Sequence, residues 1–135
     1  MSLLYIRQAL EGRLAEMTPA LATAYENKSY TPVEGTPYQR VTLLPAIPDN
    51  TTKGDGHYRE QGIFQISLLY PIKTGPSAAT TRAIAIQVAF KRGTSITVGG
   101  ITVRINKTPA IWPGYNEGDR WHLPVKIPYF AEIFD

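Results

Sequence analysis

The sequence predicts an α+β fold: a mainly antiparallel β-sheet with two helices on one face. Three observations carry that expectation. Phe64, Ile66, Leu68 and Tyr70 alternate with Gln65 and Ser67, the period of a half-buried strand. Gly99-Gly100 separates two β-branched runs in SITVGGITVRI, as a two-residue hairpin requires, because both glycines accept positive φ. Leu3, Ile6, Leu10, Leu14 and Met17 recur at helical spacing, and such a stripe marks a helix face turned to a core.

The first helix is expected from Leu3 to about Met17. Ser2 is its cap, the break falls at Thr18-Pro19, and Arg7, Glu11 and Arg13 face water. Ala20–Tyr25 is short and ambiguous in type, with a lean to strand; Glu26-Asn27-Lys28 is a turn because Asn tolerates left-handed backbone. Pro32, Gly35 and Pro37 keep the next stretch extended, and Tyr38–Ala46 is a strand ended by Pro45 and Pro48. Asp49–Gly56 is a polar loop. His57–Tyr70 is the longest strand candidate and would pair with 38–46 as a hairpin.

Residues 76–92 fit two periods. Ile84, Ile86, Val88 and Phe90 alternate as in a strand, but length, alanine content, the Pro76 start, the Lys91-Arg92 last turn and the Gly93 stop favour a helix. Its tightest stripe is Ala79, Ala83, Ile86 and Phe90. Asn106–Asp119 reads as loop. Arg120–Phe134 is the last strand, with Trp121, Leu123, Val125, Ile127, Tyr129, Ala131 and Ile133 on one face. Pro124 and Pro128 share the other parity, so their missing donors point to one side, as on an edge strand or a loosely paired one.

At 135 residues and 43% hydrophobic composition, the expectation is one domain, residues 1–135, with a real core. The net charge is +3, and the cations are scattered singly apart from Lys91-Arg92, which reads as a solvated surface rather than a specific nucleic-acid site. The absence of cysteine excludes disulfides and cysteine-zinc sites. The N-terminal apolar run is broken at Arg7, too early for a secretory signal, and no segment approaches the length of a membrane span. A soluble protein made in a cytoplasm is expected.

Catalytic chemistry is not written in the chain. Asp49, Gly54 and Glu60 match three positions of a calcium-binding EF-hand loop, but Thr51 and Lys53 stand where oxygen ligands belong, and the flanks read as strands. His57 and His122 are far apart, and His122 is assigned to the surface. There is neither a phosphate-binding glycine loop nor a G-x-S-x-G elbow. Trp112, Tyr115 and Trp121 are candidates for an aromatic cluster, serving either the core or an interface anchor. No catalytic, cofactor or metal residue is assigned, and no enzyme activity is expected.

Three blocks resemble the small tail terminator, or tail completion, proteins (minor tail protein U-like) of long-tailed bacteriophages and prophages. One is Ala24-Tyr25-Glu26-Asn27 followed by Tyr30-Thr31-Pro32; another is Pro37-Tyr38-Gln39-Arg40-Val41. The third begins at Gly54-Asp55-Gly56 and runs through Gly62-Ile63-Phe64-Gln65-Ile66, Leu69-Tyr70-Pro71 and Gly75 to Phe90-Lys91-Arg92-Gly93. Tyr25-Glu26 stands where the family usually has Trp-Pro or Trp-Glu. The resemblance implies a homo-oligomeric ring, usually of six subunits, that caps the tail tube, ends its growth and prepares head–tail joining. The implied partners are other copies of the chain, the tail tube protein and a head-completion or connector protein; the implied location is the host bacterial cytoplasm during assembly, then the virion tail. No cofactor, membrane or specific nucleic acid is implied. The alternatives are another head–tail connector or tube-binding protein, or a small hydrolase.

The long polar loops supply the candidate interaction residues. They are Asp49, Lys53, Asp55 and His57 in the loop at 48–57, and Tyr115, Glu117 and Asp119 in the loop at 113–120.

Overall fold

The computed structural model describes residues 2–50 and 56–134. In chain order the elements are α1 (Ser2–Ala15), β1 (Thr23–Ala24), β2 (Tyr38–Pro45), β3 (His57–Pro71), α2 (Ser77–Ala89), β4 (Ser95–Val98), β5 (Ile101–Arg104), β6 (Ala110–Ile111), β7 (Tyr115–Glu117) and β8 (Arg120–Phe134). The strands form one sheet in the order β1-β2-β3-β8-β5-β4, with β6 and β7 also on β8. Among the described residues only β1–β2 is parallel. The fold class is the α+β arrangement the sequence predicts.

The core follows the period-2 pattern. Val41 and Leu43 on β2, Phe64, Ile66 and Leu68 on β3, and Leu123, Val125 and Ile127 on β8 are neighbours across the ladder and all buried. Both helices pack on this apolar face. Ile6, Ala9, Leu10 and Leu14 of α1 and the stripe Ala79, Ala83, Ile86 and Phe90 are buried in the same cluster. The Phe90 ring lies 6.2 Å from that of Phe64. The alanines bring the α2 backbone close to the sheet, where a larger residue would hold it off.

Several elements differ from expectation. The second helix ends at Ala89, and Phe90 is its cap, at φ −115°. Lys91 and Arg92 lie beyond it, exposed, and the Gly93 N–H already donates to the Ile105 carbonyl at 2.7 Å. The basic group at this helix end comes from α1: Arg13 Nε donates to the Ala89 carbonyl at 2.6 Å. Arg13 therefore does not simply face water. Neither does Arg7, which pairs with Glu26 at 2.9 Å, while Glu26 also accepts from the Leu43 N–H. The segment at 20–25 contributes only the two residues of β1.

The largest difference concerns the last strand. β8 is central, paired with β3 over fifteen positions from His57↔Phe134 to Pro71↔Arg120. The proline parity still has a meaning. The Pro124 carbonyl accepts from the Trp112 N–H at 2.9 Å, so Pro124, and Pro128 with it, turns its amide edge away from β3. On that side β8 meets three short strands, β5, β6 and β7, instead of one long one. Each missing donor falls where pairing is interrupted. Two of those strands lie inside the stretch expected to be loop.

Candidate functional site

The described residues of the two loops lie at opposite ends of the β3–β8 pair. Fourteen residue steps separate them, about 45 Å at ordinary strand rise. They make two separate polar surfaces.

At one end, the chain leaving β2 stays paired briefly: the Asp49 and Arg59 backbones exchange N–H···O bonds of 2.9 and 2.7 Å. His57 opens β3 opposite Phe134, and the two rings stack at 4.7 Å. Glu132, on β8, lies 2.7 Å from His57 Nε2 and 2.6 Å from Arg59 Nη2. Burial works against its charge, but the hydrogen bonds from Arg59 and His57 win and hold its carboxyl below the usual carboxylate range. The Arg59 guanidinium also covers the Phe130 ring at 4.5 Å. Lys53 and Asp55 lie outside the described residues.

At the other end, Glu117 bridges two strands. It pairs with Arg40 at 3.2 Å and with His122 Nδ1 at 3.1 Å. The Arg40 hydrogen bond is the main reason its carboxyl is held low. His122 is buried, contrary to its surface assignment, with the Tyr115 ring 4.6 Å away. Burial pushes its imidazole below the ordinary histidine value, so the neutral form is favoured. Arg120 is buried as well. It donates to the carbonyls of Thr36 and Val33, and its guanidinium lies 5.1 Å from the Tyr38 ring. This pins the turn at residues 33–36, closed by the Thr36 N–H on the Val33 carbonyl at 3.1 Å, against the end of the sheet. Asp119 is exposed in the turn between β7 and β8.

Arg40, His122 and Glu132 belong to these surfaces, and the loop-based reading missed them because they sit on strands. One signal was available. Gly118-Asp119 between Glu117 and Arg120 is a two-residue hairpin, with Gly118 at φ 59°. Read as such, it places Tyr115 beside His122. The three aromatics do not act as one cluster. Trp112 is exposed beneath the Lys126 ammonium at 3.9 Å, Tyr115 lies on His122, and Trp121 is half-buried against Gly114.

Neither histidine lines any of four surface hollows of about 270–380 Å³. The one at about 380 Å³ is apolar, lined chiefly by Pro71, Ile72, Pro76 and Trp121. Among the described residues no three His, Asp or Glu side chains converge as metal ligands. Asp49 and Glu60 flank a strand pairing, and the middle of the calcium-loop match lies outside the described residues. No helix among the described residues is long and apolar enough to cross a membrane.

Eight solved chains match this fold. One is 27% identical, with a TM-score of 0.76, over 97% of this chain and 96% of that one. Another, from the virion of a native gene transfer agent particle, is 15% identical with a TM-score of 0.65, over 99% of this chain and 98% of its own. No curated protein matches. The family model for the phage tail terminator protein matches residues 5–129, nearly every element from α1 to the middle of β8. The chain belongs to the phage tail terminator family, and it is a structural protein of phage tails.

Proposed function

We propose that six copies of this chain close into a ring on the finished end of a tail tube, stop its growth and present a surface for head joining. The observation that carries this reading is the family match over residues 5–129. Geometry supports it. A closed ring of identical subunits needs two different complementary surfaces on each copy. In the proposed ring the polar ends around His57–Glu132 and Arg40–Glu117 serve as that pair, held apart by one strand ladder. On this reading the loops at 48–57 and 113–120 make subunit or tube contacts, with Asp49, Lys53, Asp55, His57, Tyr115, Glu117 and Asp119 among the contacting residues. The role is structural and non-enzymatic. The whole chain, 1–135, acts as a single unit. Assembly takes place in the host bacterial cytoplasm, and the encoding genome is a phage or prophage.

The deciding experiment mixes the purified chain with its tail tube protein, then measures mass in solution and inspects tube ends by electron microscopy. The expected result is a six-copy mass and capped tubes that no longer elongate. Tubes that remain uncapped and keep growing would overturn the reading. Binding to a head-completion protein without tube binding would favour a connector instead.

A further inference from the structure

The open sheet face, away from the helices, carries an unassigned cationic groove near the His57 end. Two adjoining hollows, about 280 and 270 Å³, share Asn106 and Phe130 in their walls. Arg92 and Arg104 line one, and Lys107 and Arg59 line the other. Among the described residues no carboxylate lines either. Glu132 touches Arg59 from the side at 2.6 Å, so Arg59 is partly neutralised. Among the described residues Arg104 donates only to the Ser95 hydroxyl, at 3.1 Å, and Arg92, Arg104 and Lys107 are exposed. Three cations that meet no carboxylate among the described residues are therefore gathered on one concave strip.

We propose that this groove binds the phosphate backbone of double-stranded nucleic acid without reading its sequence. Arg104 and Arg59 stand on the strands flanking β8, opposite Phe130 and Glu132, so their attachment points are about 12 Å apart once the two-residue stagger is included. Phosphates follow one another about every 3.4 Å of axis on each duplex strand, so long side chains on that span reach several of them. Three of the four cations are arginines, whose planar forks suit phosphate oxygens. Arg59 is held against Phe130, which orients its guanidinium. Charge complementarity selects a polyanion; Phe130, Ile63 and Pro128 are half-buried in the walls, and the guanidinium forks beside them suit the phosphate oxygens of a uniformly charged backbone. Phosphate contacts position a protein and carry no base information. The inference stands whether or not copies of the chain form a ring.

The test is fluorescence anisotropy of a labelled duplex with the full chain, titrated from about 50 to 200 mM salt. The chain should bind, with affinity falling steeply with salt. The triple variant Arg92→Ala, Arg104→Ala, Lys107→Ala should bind at least tenfold more weakly and lose roughly 2.7 from the log–log salt slope, about 0.9 per phosphate contact. The variant Lys28→Ala, Lys73→Ala, at exposed sites elsewhere, should bind like the parent chain. Thermal melts confirm that each variant is folded, and Arg104→Glu provides a second reading of the groove. No binding by the parent chain, or equal loss in the two multiple variants, overturns the proposal. So does tighter binding of poly-glutamate than of the duplex at equal charge, which would assign the groove to an acidic protein.

Discussion

His122 and Gly62 show what a residue can and cannot reveal alone. His122 occupies an even position on β8, which alternation assigns to the polar side; the Tyr115–Glu117 hairpin then covers it. The covering strand is only three residues long, so the Gly118-Asp119 turn is the one sequence signal of that burial. Gly62 reads as a weak point within a strand, yet its place is set by crowding: an added Cβ would clash with the Leu44 carbonyl and stand 2.8 Å from the Tyr129 hydroxyl. That hydroxyl is buried, which raises its pKa to about 12. For His122 the pH consequence has a definite sign. Its folded pKa lies below the ordinary 6.5 because burial penalises the imidazolium, although Glu117 partly offsets this. The unfolded chain thus takes up the proton first, so stability is full above the ordinary value and declines as pH falls below it. The melting temperature should drop between about pH 7 and about pH 5, and His122→Gln should make that drop shallower. An equally steep fall in the variant would show that other groups, such as Glu117 losing its Arg40 contact, carry the acid sensitivity.

Among the elements, period and turn chemistry were legible, and neighbours were not. The α2 stripe, the Gly99-Gly100 turn at φ 59° and 79°, and the β2–β3 hairpin follow from side-chain spacing. Alternation says which face of β8 is buried, but it is silent on which strands flank it. The prolines therefore read as an edge, when they mark the interrupted side of a central strand. Helix ends were harder still, because the basic group at the end of α2 comes from a residue seventy-six positions earlier in the chain. Local sequence nominated Lys91 and Arg92 for that role, and the fold gave it to Arg13. Arg13→Ala should cost about 1–2 kcal/mol, since it removes a charged donor from a half-buried carbonyl. Lys91→Ala with Arg92→Ala should stay within about 0.5 kcal/mol of the parent. Urea denaturation compares the two, and the opposite order would return the cap to the local basic pair.

At the scale of the whole molecule, charge and contact surfaces emerge only when strands are assembled. Arg59, Arg92, Arg104 and Lys107 are scattered in sequence, and the sheet collects them around Phe130. The interaction residues chosen from the two loops likewise separate into remote surfaces, a division that linear distance does not show. Connecting those surfaces is the β3–β8 ladder of fifteen paired positions. Its antiparallel strands enter from opposite ends, so a pull applied at residue 56 against one at residue 118 slides one strand along the other. Every rung then resists at once, whereas peeling from a single end would break them in turn. Force spectroscopy should record a higher rupture force for that attachment pair than for residues 72 and 118, which lie at the same end. The ladder thus makes the chain a tension member, able to carry load from one polar end to the other with little extension.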